Sequence, residues 1–279
     1  MSKHISVKEI IQKVNQLEWS LQKSGERSVE NAEIFSRWWS SHKPMKDLST
    51  EIIREFKYYL KVKRKYSGGT INRKLAALSK LITYARGCSG FTFKWGVPLI
   101  QYERVNNKRK FTLTPAIEKL LISKTNELGH KEKSDLWVFL IDVGCRLGEA
   151  LSLQWSDVSE DFVLFKNTKN GDDRYVPIFN RVKQLLMTRK KIGLPRPFPF
   201  TKSCVEWTWR KVRKNIGMDS EKDFVIHSLR HTCITRMLHH KIGIEVVQIA
   251  VGHNDIRMTQ GYNHPTKEQL YSAIKQRIN

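Results

Sequence analysis

The chain has 279 residues, 40% of them hydrophobic, and sets 50 Lys and Arg against 27 Asp and Glu for a formal net charge of +23. This length and apolar fraction supply a core for one large or two medium domains and exclude a disordered protein. A compact chain with such an excess repels itself unless its partner is a polyanion. That points to nucleic acid first and to an anionic membrane surface second, since the basic residues are not gathered beside an apolar anchor.

No apolar run approaches the ~18 residues of a membrane span, and the start, Met1-Ser-Lys-His-Ile-Ser, lacks a signal peptide's hydrophobic stretch. Cys88, Cys145, Cys204 and Cys233 show no paired spacing, so reduced thiols in a cytoplasmic protein are expected, without a metal site or disulfide framework.

In chain order, Ile5, Val7, Ile10, Ile11, Val14, Leu17 and Leu21 have helical spacing and predict a helix over 5–23. Similar patterns predict helices near 28–41, 49–64 and 70–86. In the last, Ile71, Leu75, Leu78, Ile82 and Ala85 form one stripe, with Arg73, Lys74 and Lys80 off it and Thr70 as the cap. Residues 1–100 are therefore expected to form a small helical bundle. Residues 101–113, polar, basic and aperiodic, are expected as a linker lying on the partner through Lys108, Arg109 and Lys110.

Thr114-Pro115 announces a second domain, 114–279, with Thr as cap and Pro at the first helical position. Helices near 115–128 and 133–144 are followed by two β-prone runs, Phe162-Val-Leu-Phe and Arg174-Tyr-Val-Pro-Ile. Asn170-Gly171 between them marks a hairpin. Helices resume near 180–192, 203–216, 228–240, 244–251 and 266–277. The fold class is thus mainly α with one small β-hairpin.

Four features in this domain can carry chemistry. Arg146 stands among apolar helix-end residues with Glu149 three positions on; an orienting partner and an ordinary structural ion pair both fit. His227-Ser-Leu-Arg230-His231 opens a helix, so His227 and Arg230 share a face near N–H groups that attract phosphate. A basic solvated helix start fits as well. A metal pair at His227 and His231 lacks the intervening Glu and a third ligand. Gly252-His253 precedes Tyr262 by nine residues, although a lone Tyr is usually a half-buried amphipath. Lys169 sits at the hairpin tip, where lysines are ordinarily solvated.

Taken together, Arg146 within Cys-Arg-Leu-Gly-Glu, Lys169 on a hairpin, His227-x-x-Arg230, Gly-His253 and Tyr262 resemble the tyrosine recombinase (phage integrase) family, strongly over 114–264. The N-terminal bundle is similar to that family's core-binding domain only in size, helical character and position. The resemblance implies a site-specific recombinase or integrase working through a 3′-phosphotyrosine intermediate, with no ATP, metal or other cofactor. Arg146 and Arg230 would clamp the scissile phosphate and His253 would donate a further hydrogen bond. Tyr262 would be the nucleophile, His227 a general base and Lys169 the general acid, with Glu149 supporting Arg146.

Double-stranded DNA is the expected partner, gripped between two basic domains. Base reading is expected near 70–86 and along 203–216, where Arg210, Lys211, Arg213 and Lys214 interleave with Trp207 and Trp209; a solvated amphipathic face fits the latter equally. The resemblance also implies a homotetramer on DNA, with the tail 266–279 docking on a neighbouring protomer, although packing on its own domain is the plainer alternative. Accessory directionality or DNA-bending proteins are compatible with it. The N-terminal part looks too short to add an arm-binding domain, and a phage or mobile-element integrase is preferred to a chromosome-dimer resolvase. A type IB topoisomerase-like relaxation enzyme and a non-catalytic helix-turn-helix regulator, the latter suggested by residues 229–251, stay as rivals.

Overall fold

The computed structural model describes residues 5–105, 111–166, 173–253 and 255–262. The chain divides into two compact units, Met1–Asn107 and Lys108–Asn279.

The first unit is helical. α1 (Val7–Leu17) starts in a reciprocal cap, with the Glu9 N–H donating to Ser6 Oγ at 3.2 Å and the Ser6 N–H donating to the Glu9 carboxylate at 2.7 Å. It is followed by α2 (Gly25–Trp39), α3 (Thr50–Tyr58) and α4 (Gly68–Gly87). Val7, Ile10 and Val14 of α1, Phe35 of α2, Phe56 of α3, and Leu75, Leu78 and Leu81 of α4 are all fully buried in one core.

Four expectations change here. The first helix stops at Leu17, where Glu18 ends it and Trp19 turns into the core; Leu17 and Leu21 are exposed. The stretch after α3 widens into a π turn over Tyr59–Lys63, closed by an Arg64 N–H to Tyr59 carbonyl bond of 3.0 Å. α4 begins at Gly68 after Ser67, so Thr70 lies inside the helix and is not its cap. Lys74, expected off the apolar stripe, is buried, donating to Asn31 Oδ1 at 3.2 Å with its ammonium 4.6 Å from the Tyr66 ring centre.

In the stretch 101–113, expected as a linker lying on the partner, both described ends contact the unit they belong to. Glu103 pairs with Lys57 and Lys61 at 2.9 Å each within the first unit. Phe111 and buried Leu113 pack in the second, where the Leu113 N–H donates to Thr232 Oγ1 at 2.9 Å. Residues 106–110 lie outside the described residues.

The second unit is built around α6 (Lys131–Val143), which packs against α5 (Pro115–Glu127), α8 (Asn180–Lys191) and α10 (His227–His239). Thr114 caps α5 by accepting from the Ile117 N–H at 3.2 Å, with Pro115 in the first turn. α7 (Leu147–Ser152) is a single short helix after α6 that no periodicity announced. β1 (Phe162–Phe165) and β2 (Arg174–Pro177) pair antiparallel, Phe165 opposite Arg174, and the turn with Asn170-Gly171 lies outside the described residues.

α9 (Lys202–Asn215) brings Trp209 into the core against Trp137 and Phe224, with ring centres 5.2 and 4.8 Å apart. α11 (Ile244–Val251) and α12 (Ile256–Gln260) close the described part. No helix among the described residues is long and apolar enough to cross a membrane.

Candidate active site

Two left-handed turns shape the site. Gly144 ends α6 at φ +66°, and Gly252 ends α11 at φ +67°. A Cβ at Gly144 would meet Cys233 Sγ at 2.9 Å, and one at Gly252 would meet Arg174 Nη1 at 2.9 Å. Both turns therefore require glycine by conformation and by space. Each turn presents main-chain carbonyls to a guanidinium.

Arg230, one turn into α10, is 2% exposed; its Nη1 and Nη2 donate to the carbonyls of Gly144 and Val251, each at 2.7 Å. Burial, and next the Arg146 charge, lower its pKa to about 10. It still carries its charge at neutral pH.

Arg146 precedes α7 in extended conformation. Its N–H donates to Glu149 Oε2 at 2.7 Å, its Nη1 to Glu149 Oε1 at 2.8 Å, and its Nη2 to the Gly252 carbonyl at 3.0 Å. The pairing expected at three-residue spacing is thus present, and the same Glu149 serves a second cation. Arg174 donates from Nη2 to Oε2 at 2.6 Å and from Nη1 to Oε1 at 3.3 Å. Burial alone would raise the Glu149 carboxyl, but hydrogen bonds from Arg174 and from the Arg146 backbone outweigh it and hold the group below the carboxylate range.

His253 is 7% exposed, and its Nδ1 lies 2.9 Å from Thr259 Oγ1 of α12. Burial, then repulsion from Arg230 and Arg146, push its pKa down to about 4, so it is neutral. Tyr262 follows α12, half-buried against Ile234, Val247 and Val251. Its ring centre lies 6.2 Å from that of His253, nearly parallel, and 4.9 Å from that of His231. Burial raises the phenol pKa, and the Arg230 charge opposes that rise.

His227 is exposed, with its ring 4.8 Å from His231, so the His231 ring contacts both His227 and Tyr262. A cavity of about 500 Å³ opens beside Arg230 and His227, walled by Leu147, Trp209, Arg210 and Ile226.

Arg146, Glu149, Arg230, His253 and Tyr262 thus meet in one neighbourhood, with His227 at its edge. Lys169, Lys108, Arg109, Lys110 and the tail 266–279 lie outside the described residues. Among the other basic candidates, Arg73 and Lys214 are exposed and Lys80 pairs with Glu18. Arg210 lines the cavity. Lys211 stands 5.1 Å over exposed Trp207.

Arg213 is turned back to the carbonyls of Met218, Asp219 and Glu221. The expected aromatic and basic interleaving of α9 accordingly splits, because buried Trp209 belongs to the core. Sequence reasoning missed Arg174 and considered His231 only as half of a metal pair with His227. The alternation of β2, which buries Arg174 with Val176, was the signal for the first.

A phage integrase family model matches residues 112–269. The chain belongs to that family. It is similar to the tyrosine recombinase of Thermosipho africanus (strain TCF52B), 26% identical over 217 residues that cover 74% of this chain and 75% of that protein. The shufflon-specific DNA recombinase of Escherichia coli is 28% identical over 227 residues, 76% of this chain and 55% of that one. The match thus spans three quarters of one relative and about half of the other.

Among solved structures, the Tn1549 transposon integrase (aa 82-397) in complex with circular intermediate DNA aligns over 98% of this chain and 99% of that one, with TM-score 0.75 and 19% identity. A λ integrase dimer bound to a COC′ core site aligns over 93% and 77%, with TM-score 0.76 and 17% identity. At these identities the likeness is one of fold. The family match does not favour the rival relaxation enzyme and regulator.

Proposed function

We propose that this integrase-family chain cleaves and rejoins double-stranded DNA at defined sites, with Tyr262 as nucleophile. The observation that carries this reading is the convergence of Arg146, Arg230 and His253 on one carbonyl-lined pocket with Tyr262 stacked beside it. A phosphodiester repels nucleophiles, so its cleavage requires cations at the non-bridging oxygens as charge builds. Arg230 offers its full charge because carbonyls alone hold it, and Arg146 reaches the pocket with Glu149 fixing its plane. Thr259 donating to Nδ1 would leave the His253 proton on Nε2, where it donates to a phosphate oxygen.

The Tyr262 oxygen attacks phosphorus, forms a 3′-phosphotyrosine bond, and expels the 5′ oxygen, which Lys169 protonates. The phenolic proton leaves through the His231–His227 pair, the nearer imidazole being His231. Attack by a second 5′-hydroxyl reverses the step on a new partner strand. One phosphodiester replaces another, so neither ATP nor a metal is needed. Exposed Arg73 and Lys214 and partly exposed Lys211, with Lys108, Arg109 and Lys110, would bind backbone phosphates.

A tetramer on DNA, linked by the 266–279 tail, and a role in moving a phage or mobile element in a cell's cytoplasm complete the proposal. Deleting 266–279 should abolish synapsis while sparing cleavage of a single site.

The test is covalent capture. A pool of nicked random-sequence duplexes, incubated in EDTA, should yield protein–DNA adducts with the wild-type chain and none with Tyr262→Phe. An undiminished adduct with Tyr262→Phe, or none with the wild type, would sink the proposal.

A further inference from the structure

We propose that Arg174 is a positioning residue for strand cleavage, fixing Glu149 so that Arg146 faces the phosphate with its charge unspent. This rests on the reading of the pocket given above.

Arg174 touches no expected substrate oxygen; its side chain is 6% exposed. Its contacts nonetheless join three segments around the pocket, α7, α11 and β1. The forked guanidinium grips both oxygens of Glu149 on α7. Its Nε donates to the Ala250 carbonyl of α11 at 3.1 Å, three residues before His253. The group lies 4.7 Å over the Phe165 ring of β1, four residues before Lys169 in the sequence. Gly252, whose carbonyl holds Arg146, must lack a side chain because Arg174 fills that space.

A carboxylate paired with Arg146 alone would neutralise the cation the phosphate needs. A second guanidinium on the same carboxylate restores the surplus and sets the plane of both. A buried charged group is also a costly way to fill space, because apolar residues of the same volume are often as stable or more so. The fork, the stacking and the Nε bond are properties of Arg that Lys does not reproduce.

The experiment uses the full-length chain and the nicked duplex recovered by covalent capture. Arg174→Lys should slow adduct formation roughly 100-fold, the cost of misplacing a reacting group by about an ångström. Duplex affinity should change less than about twofold, since a buried side chain meets no backbone phosphate. In an Arg146→Ala background the same substitution should change the rate less than about twofold, because residues acting as a unit are non-additive. A purely structural Arg174 would lower the rate by the same factor in both backgrounds. That outcome, or no loss in either, overturns the proposal.

Phe165→Leu, which removes only the ring under the guanidinium, should give a smaller loss with the same dependence on Arg146. It decides the matter if Arg174→Lys does not fold. Failure of the wild-type chain to form any adduct would overturn the reading of the pocket itself. Wild-type adduct with unimpaired Arg174→Lys and Phe165→Leu would overturn only the role of Arg174.

Discussion

Glu149 is the acidic side chain on which two guanidiniums depend, at 2.8 Å from Arg146 and 2.6 Å from Arg174. Removing its charge leaves two like charges facing each other in a half-buried setting. Glu149→Gln should therefore lower the free energy of unfolding by about 3 kcal/mol, measured by urea denaturation. His253 gives a pH dependence of defined sign. Its pKa falls from an ordinary 6.5 to about 4 in the folded chain, where burial and the neighbouring arginines disfavour the charged ring. Below pH 6.5 the unfolded chain takes up a proton that the folded chain refuses, so stability present above that pH is lost as pH falls towards 4. Thermal midpoints should drop across that window, and His253→Gln should flatten the drop.

At the level of elements, the turn at Gly144 joins α6 to the Arg146 segment and seats Arg230 through its carbonyl. Gly144→Ala should cost about 1–2 kcal/mol from backbone strain, with a further penalty from contact with Cys233. Adding Cys233→Ala removes the Sγ contact but keeps the Cβ at 3.2 Å, so it should recover only part of the contact penalty and none of the strain, as read by the thermal midpoints of the single and double variants. Elements announced by strong local chemistry were legible beforehand, such as the Thr114-Pro115 cap and the β-prone runs of β1 and β2. The convergence of Arg146, Glu149, Arg230, His253 and Tyr262 was legible only as an ordered set of motifs.

What escaped has physical reasons. α7 and α12, of six and five residues, are too short to show a 3.6-residue period. Lys74 lies three residues after Ile71 and four before Leu78, on the flank of the apolar stripe. That flank becomes interior only because α1 and α2 both pack on α4. Arg174 looked like part of a strand, and its partner Glu149 lies 25 residues away, beyond any local pattern.

At the scale of the whole molecule, the formal charge of +23 governs how the chain meets DNA. If about ten phosphates are neutralised, log K against log salt should slope near −9, as titration over a range of NaCl would show. Within the pocket the balance is different: among the described residues, Arg146 and Arg174 share the Glu149 carboxylate and Arg230 is held by carbonyls, three guanidiniums to one carboxylate. That local surplus matches the two negative charges that a phenolate and a phosphodiester bring together at the moment of attack. Charges held this deep are screened far less than those on the surface. Added salt should consequently loosen the grip on the duplex while leaving the first-order rate of the already seated complex almost unchanged.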